Sequence, residues 1–396
     1  MQNPVQLPCG VVLKNRLVKS AMSDSLGDGR GNPTKAQIRL YERWAEGGAA
    51  LSIIGEVQGD HRFAEKPGNL VFRPQSDRKA IGALIRRGLT NKAHLWPQLG
   101  HAGALSHPPI SQPKGPSALN MPGLSCAALS TQEVEALPDH YARTAIFAKK
   151  AGLSGVHLHA GHGFLLSQFL SPLFNQRSDA YGGQIDGRAS IIIKIINAIR
   201  CAVGPAFPVG IRINASDRLE GGLTEGDALE FVRLLDQTSI DLIDISGGTY
   251  FPGAKPSLEG RSNGKPYFLD FARRARTVTE VPLMLTGGIA TRAQALDAIT
   301  SGAADLIGLA RAMVLNPNLA NDWLSKAGGD PAVPQFDSPP PGSVTAWYTM
   351  RITALGEDTE RSFAMDPAMA LDSYEARDHA RCHQWRTEFC TAPEPN

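Results

Sequence analysis

Two histidines three residues apart, His159 and His162, follow an apolar run in the stretch GVHLHAGHGFLLSQFLSP, residues 155–172. Three kinds of chemistry are open to such a pair. The imidazoles can ligate a metal, can be buried in a core, or can donate two N–H bonds to one anionic or carbonyl oxygen. A zinc site would need a third and a fourth ligand at metal spacing, and none follows in the sequence. The glycines beside the histidines argue against tight burial.

Glycines and an arginine late in the chain suggest a phosphate site. The stretch TGGI contains Gly287 and Gly288, and the later stretch GLAR contains Ala310 and Arg311. Free backbone amides and a guanidinium are groups that bind phosphate oxygens. Alternatively, the glycines only form tight turns and the arginine lies on the surface. The occurrence of both stretches after consecutive apolar runs favours phosphate binding.

Gln98 and Arg212 are polar side chains inside apolar segments, HLWPQLG and PVGIRIN. Burying an arginine without a partner costs much free energy. One interpretation of Arg212 is a structural salt bridge, and the other is a ligand that carries negative charge. The pattern alone does not separate the two.

Eight short apolar runs, separated by segments of helical spacing, supply the elements that position these residues. Continuous apolarity is typical of parallel strands that are covered on both faces. No G-x-G-x-x-G follows the first run, and polar residues gather after nearly every run, which favours a (β/α)8 TIM barrel over an open doubly wound sheet. The predicted strands are residues 15–22, 49–56, 94–100, 155–161, 208–214, 241–248, 281–288 and 304–311.

The predicted barrel occupies residues 1–327, with a long loop after strand 3 at residues 102–130. A helix is predicted from Thr131 to a C-cap at Gly152, because an acidic first turn follows Thr131. A Pro-rich stretch begins the C-terminal extension, residues 328–396, which is too short for a domain. We expect the extension to pack on the barrel or on a partner subunit.

The composition narrows the class of protein. The chain has 396 residues and a net charge of +2, without a basic cluster, so neither a nucleic-acid partner nor a membrane surface is indicated. No apolar stretch reaches the roughly 18 residues of a membrane span, and the first residues lack a signal-peptide pattern. The five cysteines are scattered without a C-x-x-C pair. We therefore expect a cytoplasmic protein with free thiols and no metal site.

The chain resembles the Old Yellow Enzyme family of FMN-dependent ene-reductases and NADH:flavin oxidoreductases. The resemblance covers roughly residues 5–325 in order. Its most specific part is the block HAGHGFLLSQFLSPLFNQRSDAYGG, and further matching stretches are LKNRLVKSAMS, RWAEGGAALSIIGEVQ, QLGHAG, GIRIN, GGLTEGDAL, DISGG, LTGGIATRAQALDAITSGAADLIGLARAMVLNPNL and VTAWYT.

The resemblance implies an FMN site at the ends of the strands. Ser23 stands where relatives usually carry Thr or Cys, and Ala310 stands where Gly is more frequent. Arg212 matches a cation near flavin N1 and O2, where a positive charge stabilises the reduced anion. The residues that match FMN-binding positions are Ala21, Met22, Ser23, Gly55, Gln98, Arg212, Gly287, Gly288, Ala310 and Arg311.

The resemblance also assigns the histidine pair. His159 and His162 match the two residues that bind the substrate oxygen over the flavin, which makes them the catalytic candidates. Two positions later, most relatives carry a tyrosine that protonates the substrate carbon, whereas this chain has Phe164. A positioned general acid contributes about 10²–10⁴-fold, so enone reduction is expected to be weak unless another hydroxyl substitutes. Tyr250, which we also expect to line the substrate pocket, and Ser25 are the candidates.

The expected function is transfer of hydride from NADH or NADPH, through flavin N5, to a small electron acceptor. An activated alkene, a quinone or a nitro compound would fit. The alternatives are a flavin-dependent isomerase or dehydrogenase of an enone-type substrate, a different FMN barrel such as a dihydroorotate or hydroxy-acid oxidising enzyme, and a non-catalytic flavin-binding protein. Relatives are often homo-oligomers, some lending a C-terminal arginine to the neighbouring pocket, as Arg381 or Arg386 could here. His157, where relatives often carry Glu, receives no role.

Overall fold

Eight parallel strands form a closed barrel in the computed structural model, which describes residues 1–254 and 265–390. The barrel closes because the first strand pairs with both the second and the eighth. This architecture confirms the predicted (β/α)8 TIM barrel. The strands are β1 (Leu17–Lys19), β2 (Leu51–Gln58), β3 (His94–Gly100), β4 (Val156–Ala160), β5 (Val209–Asn214), β6 (Leu242–Ser246), β7 (Leu283–Thr286) and β8 (Leu306–Leu309).

The first strand is shorter than predicted. Residues 15–22 were expected to be extended, but β1 ends at Lys19 and the chain leaves the sheet there. A single parallel bridge between Ser23 and Gly55 is the next contact of this segment with β2. Ala21, Met22 and Ser23, which were expected at the end of this strand, therefore lie in a loop.

Amphipathic helices cover the outside of the barrel. The predicted helix at Thr131 is confirmed, with a capping box between Ser130 and Glu133 and with Gly152 in the left-handed conformation at its C-cap. The helices are α1 (Lys35–Glu46), α2 (Arg78–Gly88), α3 (Thr131–Ala151), α4 (Leu165–Leu170), α5 (Ile185–Val203), α6 (Glu225–Asp236), α7 (Leu269–Arg276), α8 (Arg292–Thr300), α9 (Arg311–Leu315), α10 (Leu319–Ser325), α11 (Ser343–Gly356) and α12 (Pro367–Phe389).

Small elements lie outside the barrel. An antiparallel pair, Val5–Gln6 with Val12–Leu13, packs with residues at the beginnings of the barrel strands. The long loop after β3 contains a three-stranded sheet of Lys114–Gly115, Leu119–Met121 and Leu124–Ala128. The remaining short elements are the strand Leu70–Val71 and the 3₁₀ turns His61–Phe63, Thr90–Lys92, Gly103–Leu105 and Glu360–Ser362.

The C-terminal extension packs on the barrel of its own chain. Helix α11 lies against α1, and Arg43 of α1 donates to both carboxylate oxygens of Glu360 at 2.6 and 2.8 Å. Helix α12 buries Trp385 and Phe389 in an apolar cluster whose barrel members are Ala64, Val71 and Ile110. The extension thereby covers the loops that follow β1 and β2.

The described residues contain neither a membrane-spanning helix nor a cluster of metal-ligating side chains. Within residues 1–254 and 265–390, no helix is both long and apolar enough to cross a membrane. The same part of the chain contains no group of three or more His, Cys, Asp or Glu side chains that could hold a metal ion.

Candidate active site

The register of the parallel strands brings the polar residues of the sequence analysis together at one end of the barrel. His159 pairs with Arg212, and His157 pairs with Gln98. Residues that pair in parallel strands point to the same face of the sheet, so these side chains share the barrel interior. Arg212 in turn pairs with Asp244 of β6. The mouth of the barrel is therefore lined by charged and polar groups from four neighbouring strands.

His159 is buried and presents one N–H group to the mouth. Its Nδ1 accepts a hydrogen bond from the backbone of Gly161 at 3.2 Å, so the proton of the neutral ring is on Nε2. That nitrogen lies 3.4 Å from Oε1 of Glu56. Burial and the nearby charges of His162, Arg212 and His157 hold the pKa of His159 well below its usual value. The ring is a neutral donor.

His162 is held in a strained conformation beside it. Its φ of 59° lies in the left-handed region, which is uncommon for residues other than glycine and is often found at functional sites. The side chain of Asn214 accepts from the backbone N–H of His162 at 2.9 Å, and Ser246 Oγ lies 2.9 Å from His162 Nε2. Burial and the charge of Arg212 lower the pKa of His162 to about 3. The two imidazoles stand edge to face with centroids 5.1 Å apart.

Aromatic rings form the wall next to the histidines. Phe164 is 2% exposed, and its ring centroid is 4.8 Å from that of His159. The ring of Tyr250 lies 5.9 Å from those of both Phe164 and His162. Tyr250 is 62% exposed at the mouth. Protein atoms on its inner side, together with the negative charges of Glu65 and Glu56, raise the pKa of its hydroxyl to about 12. The hydroxyl therefore stays protonated at neutral pH.

Arg212 has a salt-bridge partner, which the sequence analysis left open. Its Nε donates to Asp244 at 2.7 Å, one terminal nitrogen donates to the carbonyl of Ala21 at 3.2 Å, and the other donates to Ser20. Thr286 donates to the second oxygen of Asp244 at 2.6 Å. Because a guanidinium has five N–H donors, this arrangement leaves Arg212 able to bind a ligand as well.

The loop after β1 lies against β2 because of Gly55. A Cβ at this position would be 1.9 Å from the carbonyl oxygen of Met22, so only glycine permits the approach. Ala21 is buried, and the hydroxyl of Ser23 is buried without a hydrogen bond. A buried donor of this kind fits a bound polar ring, since an unsatisfied polar group is costly.

The predicted phosphate residues follow β7 and β8. Gly287 and Gly288 have φ values of 122° and 73° and are covered on one side by the rings of Tyr267 and Phe268. Ala310 precedes α9, and the Arg311 guanidinium lies 5.7 Å from the ring of Tyr348. Among the described residues, the Arg311 side chain has no recorded hydrogen bond or ion pair. A guanidinium that follows the strand next to these glycines fits a phosphate.

Sequence reasoning missed two carboxyl groups at the mouth. Glu56 lies on β2, and Glu65 lies in the loop after it. Burial is the main reason that the pKa of Glu56 is well above its usual value and that the pKa of Glu65 is raised to about 7. The Ser23 hydroxyl lies close enough to Glu65 to favour its ionised form, although it completes no hydrogen bond. A charged residue inside SIIGEVQ was a signal for Glu56, whereas nothing in the sequence indicated that Glu65 is buried.

The other hydroxyl candidate and the extension arginines are held by contacts within the chain. Ser25 Oγ donates to Asp378 of α12 at 3.4 Å, and Arg381 donates to the carbonyl of Ser25. Arg386 Nε donates to the carbonyl of Pro109 at 2.8 Å. Delivery of either arginine to a neighbouring subunit stays a prediction.

Known proteins are similar to this chain over most of its length. The sequence profile of the NADH:flavin oxidoreductase / NADH oxidase family matches residues 2–326. The NADH-dependent flavin oxidoreductase iliE of Hypocrea jecorina is 34% identical over an alignment of 348 positions, which covers 80% of this chain and 86% of that protein. The NADH-dependent flavin oxidoreductase iccE of Talaromyces variabilis is 32% identical over an alignment of 410 positions, which covers 89% of this chain and 97% of that protein.

Two solved structures share the fold. An old yellow enzyme homologue from Zymomonas mobilis has a TM-score of 0.72 at 22% identity and is matched over 88% of this chain and 98% of its own. Morphinone reductase has a TM-score of 0.71 at 23% identity, with 84% of this chain and 91% of its own chain covered. At these identities the likeness concerns the fold.

The barrel and its mouth define a flavin-dependent oxidoreductase. The chain belongs to the NADH:flavin oxidoreductase / NADH oxidase family, and the relationship to Old Yellow Enzyme that the sequence predicted is confirmed. FMN as the cofactor and NADH or NADPH as the reductant follow from this membership.

Proposed function

We propose that the chain is an FMN-dependent reductase that binds the oxygen of its acceptor between His159 and His162. When bound, FMN supplies hydride transfer from NADH or NADPH to that acceptor. The observation that carries the proposal is the pair of neutral imidazoles, whose ring centroids are 5.1 Å apart, at the mouth of the barrel. Two N–H donors that converge on one oxygen withdraw electrons from the attached double bond.

The cofactor would be held by the residues identified above. Gln98, Ser23 and the backbone around Gly55 present hydrogen-bonding groups to its polar ring, while Arg212 supplies positive charge where the reduced ring is negative. The glycines after β7 and the guanidinium of Arg311 would hold its phosphate. All of these groups lie at the carboxyl ends of the strands, where barrel enzymes place their sites.

The acceptors that fit this site best are quinones and nitroarenes. Phe164 has no proton to give, and its ring is packed against His159. Reduction of a quinone or nitro group places the new protons on oxygen or nitrogen, which exchange with water without a dedicated acid. A simple enone needs a proton on carbon, and its reduction is therefore expected to be slower.

Ordinary enone reduction is the second candidate function, and Tyr250 is the observation that favours it. Its protonated hydroxyl belongs to the ring next to Phe164, at a centroid distance of 5.9 Å. In that case Tyr250 would donate the proton that the missing tyrosine donates in relatives.

Anaerobic stopped-flow spectroscopy separates the two candidates. The purified yellow protein is reduced with NADH or NADPH and is then mixed with cyclohexenone, a quinone or a nitroarene. Fast reoxidation by the quinone and the nitroarene, together with slow reoxidation by cyclohexenone, supports the first candidate. Reoxidation by cyclohexenone at an equal rate, slowed at least tenfold in Tyr250→Phe, supports the second candidate. Failure of every acceptor to reoxidise the cofactor contradicts both.

A further inference from the structure

A chain of buried polar contacts crosses the barrel interior next to the proposed cofactor site. Gln98 Nε2 lies 3.1 Å from His157 Nδ1, and His157 Nε2 lies 3.6 Å from Oδ2 of Asp244. Asp244 is bound by Arg212 at 2.7 Å. The four side chains are at most 2% exposed. The sequence analysis gave His157 no role, and the structure makes it the link between Gln98 and the Arg212–Asp244 pair.

The contacts determine which nitrogen of His157 carries the proton. The amide nitrogen of Gln98 can only donate, so His157 Nδ1 must accept and the proton is on Nε2. Among the described residues that N–H has no hydrogen-bond partner, and the carboxyl group of Asp244, at 3.6 Å, favours it electrostatically without a hydrogen bond. The opposite tautomer would place a lone pair against the carboxyl oxygen.

The ring of His157 has little freedom to move. A Cβ added to Gly210 would be 2.9 Å from His157 Cδ2 and 3.2 Å from the indole of Trp96, so the missing side chain makes room for the imidazole. Trp96 is fully buried on β3. The imidazole is thus enclosed by Gln98, Gly210 and Asp244 in the orientation that its hydrogen bond requires.

We propose that His157 is a positioning residue that holds the amide of Gln98 in one orientation, with Nε2 turned toward the imidazole and Oε1 turned toward the cofactor. In this orientation Gln98 would offer the polar ring of the cofactor a hydrogen-bond acceptor rather than a donor. The inference rests on the proposed cofactor site, since it assumes that Gln98 contacts the flavin.

The surrounding charges keep His157 neutral, as this role demands. Burial lowers the pKa of His157 well below its usual value, and the positive charge of Arg212 lowers it further. His159, on the same strand, is also neutral, and the carboxyl of Asp244 is paired with Arg212. A protonated His157 would lose its acceptor nitrogen, and the side-chain amide of Gln98 would rotate by about 180° to present its oxygen to the imidazolium.

A double-mutant cycle on FMN binding tests the inference. We expect His157→Leu to weaken FMN binding about tenfold, because an unpaired buried amide loses its preferred orientation. His157→Gln, which retains an acceptor oxygen, should restore most of the affinity. Gln98→Leu should also weaken binding, and the double variant should be no weaker than Gln98→Leu alone. Additive losses, or no loss in His157→Leu, overturn the inference.

A wrong assignment of the cofactor site would give a different result in the same experiment. If Gln98→Leu leaves FMN affinity unchanged, Gln98 does not contact the cofactor and the proposed site is wrong. Should His157→Leu fail to fold, the FMN-bound wild-type protein labelled with ¹⁵N-histidine provides the answer, with His157→Gln used to assign the resonances. A proton on Nε2 of His157 supports the inference, and a proton on Nδ1 contradicts it.

Discussion

Under the proposed function, Phe164 is the residue that limits proton transfer at the histidine pair, because its ring has no hydroxyl and is packed against His159. We expect Phe164→Tyr to raise the rate of reoxidation by cyclohexenone about tenfold or more, since a positioned acid contributes about 10²–10⁴-fold. Reoxidation by a quinone should change little, because no carbon is protonated. Stopped-flow spectroscopy of the reduced protein measures both rates.

Phe147→Tyr is the matched control for this change. Phe147 lies half-buried on α3 outside the barrel, where it packs against Phe72 at 5.1 Å. Adding the same hydroxyl there should leave both rates unchanged. An unchanged enone rate in Phe164→Tyr would mean that the proton already has another source.

We expect Glu65 to make the proposed cofactor site depend on pH. Burial raises its pKa to about 7, so its carboxyl is neutral below that pH and negative above it. A negative charge beside Ser23 disfavours the anionic reduced flavin. We expect the midpoint potential of bound FMN to fall more steeply between pH 6 and 8 in the wild-type protein than in Glu65→Gln, as measured by potentiometric titration. Equal slopes would contradict this expectation.

The same raised pKa has a consequence for folding. Because Glu65 has a higher pKa in the folded protein than in the unfolded chain, its contribution to stability is complete below about pH 4.5 and is lost as the pH rises through about 7. The sequence predicted which residue types stand at the strand ends. It could not predict the burial of Glu65, which depends on α12 packing against the loop after β2.

At the scale of elements, the turn that follows α11 is joined to α1 through Glu360 and Arg43. These side chains are only 15% and 17% exposed, and the two hydrogen bonds from Arg43 are the main cause that lowers the pKa of Glu360 to about 2. The stability from this pair is present above the unfolded pKa of about 4.3 and is lost as the pH falls toward 2.

We expect Glu360→Gln to lower the free energy of unfolding by about 2 kcal/mol at pH 7, because a charge-assisted pair is lost. The difference from wild type should shrink below pH 4. Urea denaturation at pH 7 and pH 3.5 measures it. Glu230→Gln, which alters an exposed pair with Arg233, should change stability by less than about 0.5 kcal/mol at either pH. A pH-independent loss in Glu360→Gln would contradict the assignment.

The elements were predicted well where local signals are strong. The apolar run at residues 94–100 is strand β3, and the helix signals at Thr131 and Gly152 mark the ends of α3. The first strand was predicted too long, because its apolar pattern continues to Met22 although only Leu17–Lys19 pair with neighbours. Pairing depends on the curvature of the whole barrel, which a local pattern does not contain.

At the scale of the molecule, α12 fixes the C-terminal extension to the barrel through Trp385. The indole is fully buried in the cluster with Phe389 and Ala64. We expect Trp385→Ala to lower the free energy of unfolding by about 3–5 kcal/mol, because a large cavity forms. Met369→Ala on the same helix, at a side chain that is 54% exposed, should cost less than about 0.5 kcal/mol. Urea denaturation of the FMN-bound protein measures both.

Equal stability of Trp385→Ala and wild type would show that α12 is not docked as described. The oligomer of identical chains, the cytoplasmic location and the absence of a nucleic-acid partner stay predictions from the sequence. They concern surfaces and surroundings that the contacts within one chain do not address.

The hydrogen bond from Arg381 to Ser25 ties α12 to the loop after β1 of the same chain. Lys66 and Asp378, 3.7 Å apart, join α12 to the loop after β2 as well. A catalyst whose pocket is closed by its own polypeptide has a specific activity that does not depend on dilution. If Arg381 and Arg386 act only within their own chain, activity per milligram should be the same at nanomolar and micromolar protein. A fall in activity on dilution would instead support delivery of one of them to a neighbouring subunit.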